Sequence, residues 1–330
     1  MKLAAALLAL VLLPASAAVA PRVAGCPVFP ASNAWNRRVD RLPVVANSST
    51  LIRSIGLDAG LHADFGSGTW DGGPIGIPYD VVSRATPRSR VSFEYASESD
   101  RVGYPIPRRV HVEYGSDHHA LLVDRSACRL YELGGLERSG GRWQAWAGAV
   151  WNLHSNRLRP AGWTSADAAG LPIFPGLARY DEVRRGTIEH ALRFTAPRTR
   201  RAYVWPARHF ASRSDDPTLP PMGLRVRLKA SFDVRSFPPQ ARIVLVALKR
   251  YGMLLADNGS PWFVSGAPSP GWSNDQLHTL SRVHGSDLEV VDACRCAVRR
   301  SASVGTAAAA MALRAMAAGL SPRTGARGHG

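Results

Sequence analysis

The chain has 330 residues, a formal net charge of +16 and 45% hydrophobic residues. Only Lys2, Lys229 and Lys249 are lysine; a surface selected to bind phosphate would not need to avoid lysine, so a dedicated nucleic-acid binder is set aside. No internal repeat occurs, and no apolar run approaches the roughly 20 residues that span a bilayer, which argues against a transmembrane helix.

Residues 1–17, MKLAAALLALVLLPASA, carry one cation at Lys2, an apolar run from Leu3 to Leu13 and small residues at Ala15 and Ala17. This is the pattern of an export signal with cleavage after Ala17, so a secreted, extracellular or periplasmic location is expected. Val23-Ala24-Gly25-Cys26 imitates a lipid-attachment motif, although Pro21 and Arg22 interrupt the approach to the cysteine. Cys26, Cys128, Cys294 and Cys296 form an even set, and in an exported chain two disulfides are the expectation. A Cys294 to Cys296 bridge would be strained, so each of these two is expected to reach back to Cys26 or Cys128. Neither a CxxC spacing nor a nearby histidine pair supports a thiol or zinc centre, and no metal or other cofactor is expected.

Residues 18–293 are read as a single globular domain and residues 294–330 as a basic, Ala/Gly-rich and largely disordered tail. Removing Lys2 and the six tail arginines from +16 leaves the body at +9, which keeps an anionic partner in view.

Short runs rich in β-branched and aromatic residues fall at 76–82, 90–95, 109–114, 119–124, 128–133, 146–153, 187–195, 202–205, 224–231 and 262–265. They predict a mainly β fold of sandwich or jelly-roll type, with 119–133 forming a hairpin closed at Asp124 to Ala127. Helices are expected at 48–55, at 238–254 with Ile243, Val244, Ala247, Leu248 and Tyr251 on one apolar face, and at 274–283 after the cap residue Ser273.

The candidate chemistry begins at Asp117-His118-His119. Adjacent histidines on a strand point to opposite faces, so only one lines a cavity; His119 and the strand-end Asp124 are the candidates. Thr164-Ser165-Ala166-Asp167 reads as a capping arrangement. Asp181 and Glu182 are less easily explained this way, each being either a solvated turn acid or a working group, and Glu182 joins the proton-transfer set. His190 shares a strand face with Ile188, Leu192 and Phe194, as either a core residue or the floor of a cleft, and Glu189 is expected to pair with Arg193. His209 follows Trp205-Pro206 at a strand exit, where loops often carry function.

Arg225, Arg227 and Lys229 alternate with Leu224, Val226 and Leu228, predicting a cationic row about 6.6 Å apart on one strand face. Such a row suits repeating carboxylates, and Lys229 stands where arginine is otherwise preferred. Arg201, Tyr203 and Trp205 add a cation and two stacking rings, with Trp163, Tyr180 and Trp262 as further aromatics.

The segments Cys26-Pro-Val-Phe-Pro with Ala34-Trp35-Asn36, Gly76-Ile-Pro-Tyr79, Tyr104-Pro-Ile-Pro107, Asp117 to Glu132, Gly162 to Gly176, and Tyr251-Gly-Met with Ala256-Asp-Asn-Gly259 occur in this order. From Cys26 to Val291 the chain resembles a group of secreted bacterial proteins for which no activity is established. The resemblance implies one exported domain and leaves the chemistry to the residues. Those suggest a monomeric secreted enzyme, a hydrolase or lyase, on an anionic or cell-wall polysaccharide; the alternative is a module that binds such a polymer without cleaving it.

Overall fold

Ala120–Asp124 is buried at all five positions, which a strand achieves only when both faces of its sheet are covered. In the computed structural model, which describes residues 20–293, it lies in a four-stranded sheet. The order there is Ala147–Asn152, Arg129–Gly134, Ala120–Asp124, Tyr79–Val82. The expected hairpin forms, with Leu121 opposite Glu132 and Leu122 opposite Tyr131. Asp124 closes it, its Oδ1 accepting the amides of Ser126 at 2.9 Å and Ala127 at 3.2 Å. Leu121, Val123, Leu130 and Ala149 face the main core, while Ala120, Leu122, Tyr131 and Leu133 face a second cluster with Tyr104, Ile106 and Ala145. Beside that second cluster, Val91–Phe93 and Arg142–Ala145 belong to a three-stranded sheet edged by Glu137–Ser139.

The larger sheet has six strands in the order Leu288–Val290, Arg225–Leu228, Met253–Asn258, Leu192–Ala196, Phe263–Ser265, His62–Asp64. It is mixed: Leu192–Ala196 runs parallel to Met253–Asn258, and Phe263–Ser265 parallel to His62–Asp64. Phe194, Val226, Leu255 and Val264 join Leu121, Val123 and Leu130 in one core, so the two sheets share their interior. The fold is mainly β, with four α-helices among the described residues: Ser48–Gly56, Tyr180–Arg184, Pro239–Arg250 and Asn274–His278.

Several expected boundaries move. The helix expected to run to Leu254 ends at Arg250, because Gly252 turns the chain at φ +64° where a Cβ would meet the Val226 carbonyl oxygen at 2.5 Å or less. The residues beyond it become a central strand. The helix buries Ala241, Val244, Leu245, Ala247 and Leu248, so the apolar face is rotated slightly from the expected one. Ser273 does cap Asn274–His278, accepting from the Gln276 amide, but the helix then tightens into a single 3-10 turn at Thr279–Arg282. Residues 109–114 form no strand, residues 202–205 contribute only the bridge Tyr203 to Met222, and the strand expected from Thr187 begins at Leu192.

Cys26 pairs with Cys128, their Cα atoms 5.4 Å apart, within the range a disulfide bridges. The expected pairing of each with Cys294 or Cys296 is therefore corrected; those two cysteines lie outside the described residues. The bridge also occupies the sulfur that a lipid anchor at Cys26 would need. It joins points 102 residues apart in sequence. A cross-link of that span stabilises a fold by about 2–4 kcal/mol, mainly by restricting the unfolded chain. Replacing both Cys26 and Cys128 by serine should lower the urea unfolding midpoint accordingly, and an unchanged midpoint would show that the bridge contributes nothing.

Candidate functional site

Strand Leu192–Ala196 carries Arg193 between two core residues, Leu192 and Phe194, and the guanidinium is consequently only 6% exposed. Its neighbours satisfy it. Nε donates to Asp167 Oδ2 at 2.8 Å and Nη2 to Asp167 Oδ1 at 3.0 Å, a two-pronged ion pair, while Nη1 donates to Ser265 Oγ at 2.7 Å. Nη2 also lies 3.6 Å from Asp257 Oδ2. Asp257 sits late in the parallel strand Met253–Asn258, opposite Thr195, just past a register shift between Phe194 and Thr195. On the other side, Ser265 is paired with Asp64. Asp64, Ser265, Arg193 and Asp257 thus run across four neighbouring strands.

Burial and the charge of Asp167 push the Asp257 carboxyl up to about 7, against the opposing pull of Arg193. Its side chain is still 26% exposed, so a group that changes protonation near neutrality reaches solvent. Asp64 keeps contact with solvent, yet desolvation by the surrounding protein raises its carboxyl as well. Burial works against the Arg193 charge, but Asp167, through its charge and hydrogen bonds, outweighs it and raises the guanidinium.

A second ion pair supports this cluster. His119, just before Ala120–Asp124, directs Nδ1 to the Glu113 carboxylate and Nε2 to the Ala166 carbonyl at 2.9 Å. Both partners are acceptors, so the ring donates twice, as an imidazolium. Burial would lower its pKa, but the charge and hydrogen bond of Glu113 hold it up at about 9. Glu113 is itself lowered, burial being outweighed by the His119 charge. Glu132, on the core-facing side of Arg129–Gly134, accepts the amides of Ile173 and Phe174 at 2.8 Å each. Burial nonetheless pushes its carboxyl up to about 8.

The expected site residues do not converge. His119 borders the Arg193 cluster, but both its ring nitrogens are engaged, which removes it as a general base. Asp124 closes the hairpin and receives Arg88 at 3.1 Å. Glu182 and His190 meet at 3.0 Å in a buried group with Arg179, and His190 Nδ1 lies 2.7 Å from the Ala191 carbonyl. His209 lies beside the loop carrying Asp167, with Nδ1 2.9 Å from the Ala168 carbonyl.

Arg201 is an exposed partner of Asp215 at 2.9 Å; Tyr203 and Trp205 are half-buried. The cationic row is not on an open face, because Arg225–Leu228 is buried at every position. Arg225 donates to the carbonyls of Tyr251 and Ala34, Arg227 to Glu289 at 2.8 Å and to the carbonyls of Val39 and Leu42. Lys229 donates to the Ser286 carbonyl at 2.7 Å.

Two further expectations are corrected. Asp167 does not cap a helix but holds Arg193, and Glu189 is exposed rather than paired with Arg193. Arg193, Asp167, Asp257, Asp64, Ser265, Glu113 and Glu132 were missed as site residues. The available signal was a lone charge inside an apolar run: Arg193 between Leu192 and Phe194, and Glu132 between Tyr131 and Leu133. No group of three His, Cys, Asp or Glu side chains able to hold a metal ion occurs among the described residues. No family model, curated protein or solved structure matches the chain.

Two outcomes follow from the buried charges. Asp167→Ala strands Arg193 and should cost about 3–5 kcal/mol in urea unfolding, with Asp167→Leu combined with Arg193→Met recovering much of the loss; a double variant no more stable than Asp167→Ala would refute this account. The folded chain also holds protons that the unfolded chain releases, between pH 4.5 and about 8 at Glu132 and between pH 6.5 and about 9 at His119. Stability should therefore fall as pH rises across these windows, and Glu132→Gln should flatten the lower one in a pH series of thermal melts. A Glu132→Gln profile with the wild-type slope would overturn the assignment.

Proposed function

We propose that the protein is a secreted hydrolase of a cell-wall polysaccharide, with its six- and four-stranded sheets as the layers of a sandwich-type scaffold. The observation that carries this reading is Asp257: a partly open carboxyl held up at about 7 by burial and by Asp167, beside a fixed guanidinium. Such a group can deliver a proton to a leaving sugar oxygen at neutral pH. Asp64, the more open carboxylate on the same sheet, would take a proton from the attacking water.

His119, with both ring nitrogens engaged, is not available as the base of an elimination. An acidic polymer is the less favoured substrate, since Arg225 and Arg227 are bonded inside the fold. The Cys26–Cys128 bridge suits an oxidising, extracellular setting. The exposed Trp146 gives some support to a second reading, a carbohydrate-binding module without turnover.

The test is reducing-end release from a panel of cell-wall polysaccharides by the mature chain and by Asp257→Asn. Loss of a general acid lowers kcat by about 10²–10⁴-fold. Asp257→Asn should show that loss together with disappearance of the pH limb near 7, while its melting temperature stays close to wild type. Absence of product from every polymer would sink the enzyme reading.

A further inference from the structure

We propose that a groove of about 550 Å³ over the Trp146 indole binds a glycan of amino sugars with free amines, stacking a sugar ring on Trp146 and pairing ammonium groups with Glu94 and Glu137. This rests on the carbohydrate reading above but not on its hydrolytic step. The groove lies where the edge of the three-stranded sheet meets the turn around His118, and its other polar contributors are Ser92, Gln144, Ser116 and His118.

Trp146 supplies the platform. It is 42% exposed, and Gly135, at φ +67°, lies against the indole so closely that a Cβ there would come within 2.5 Å of ring atoms. The ring is therefore seated against backbone, while much of the residue stays exposed. An indole fixed in this way offers a flat apolar surface to the C–H face of a sugar at little cost in side-chain entropy. Gln144, Ser116 and His118 provide the donors and acceptors that ring hydroxyls require.

Charge selects the class of sugar. No lysine or arginine lines the groove in a chain whose net charge is +16. Glu94 and Glu137 are both exposed, and neither forms an ion pair among the described residues. The field of Glu94 is felt locally, since its charge raises the neighbouring Tyr95 hydroxyl. A uronate would meet two like charges here, whereas a glucosamine unit brings the complementary one.

The groove also adjoins the Arg193 cluster. Gly135 donates to the Asp117 carbonyl at 2.8 Å and Leu136 to the His118 carbonyl at 3.0 Å, fixing the turn in which His118 adopts φ +45°. That backbone conformation, uncommon outside glycine, points His118 to the groove while the next residue, His119, serves the buried acid cluster. A glycan lying in the groove would rest on the outer side of the segment whose inner side borders the candidate catalytic acids.

The test is calorimetric titration of the mature chain with glucosamine, N-acetylglucosamine and galacturonate hexamers, alongside Trp146→Ala and Glu137→Gln. Both substitutions are at exposed positions, and circular dichroism should confirm an intact fold. The glucosamine hexamer should bind, each substitution should weaken it at least tenfold, added salt should weaken it further, and galacturonate should not bind. No binding of the glucosamine hexamer, equal binding of galacturonate or of the N-acetylated hexamer, or unchanged affinity in both variants would overturn the proposal. Binding without turnover would count against hydrolysis alone, and turnover without binding at Trp146 against the groove alone.

Discussion

A guanidinium in the interior of a sheet imposes more order than any apolar contact around it. Arg193 cannot lose its charge, so the chain must bring acceptors to it from every side. It does so with Asp167 from a loop, Ser265 from one neighbouring strand and Asp257 from the other. The loop is thereby tied to the six-stranded sheet at a fixed angle, and its next residues place Ala166 against His119 and Ala168 against His209. The same pair sets the state of Asp257. Arg193 is largely committed to Asp167, so its compensation of Asp257 is incomplete, and burial leaves that carboxyl poised near neutrality rather than firmly ionised.

Arg193 is one instance of a wider habit. Arg225 and Arg227 bond backbone carbonyls of the segment 34–42, and Arg159 bonds the Thr164 and Glu98 carbonyls and Asp100 while lying over Trp151 and Trp163. Five donors in a planar fork can gather several carbonyls from irregular segments, which a lysine could not do as well. The preference for arginine therefore has structural uses. Five arginines, Arg159, Arg179, Arg193, Arg225 and Arg227, are buried among the described residues, and most of the others stay exposed.

This explains which parts of the sequence were legible. The hairpin of Ala120–Asp124 with Arg129–Gly134, the Ser273 cap and the start of the helix near Pro238 follow from local pattern and turn chemistry, and they form where expected. The phase of 119–123 was also readable, since alternate residues do enter separate cores. The strand Met253–Asn258 was hidden because its apolar residues continue the helix period, and only the conformation of Gly252 separates the two. Arg225 and Arg227 misled because alternation marks one face as polar without saying whether another segment covers it. Asp167, Arg193 and Asp257 are far apart in sequence; only the pairing of Leu192–Ala196 with Met253–Asn258 and the docking of the loop at Asp167 bring them together.

The two consecutive histidines show how little sequence separates two different environments. With His118 at positive φ, one ring belongs to an open groove bordered by unpaired acids and the next to a buried ion pair. Counting charges along the chain predicts an anionic ligand. Locating the charges that line the groove reverses that sign there, because Glu94 and Glu137 line it and no lysine or arginine does. What a ligand meets is the local field of the residues lining its site, and at this groove their sign is opposite to that of the whole chain.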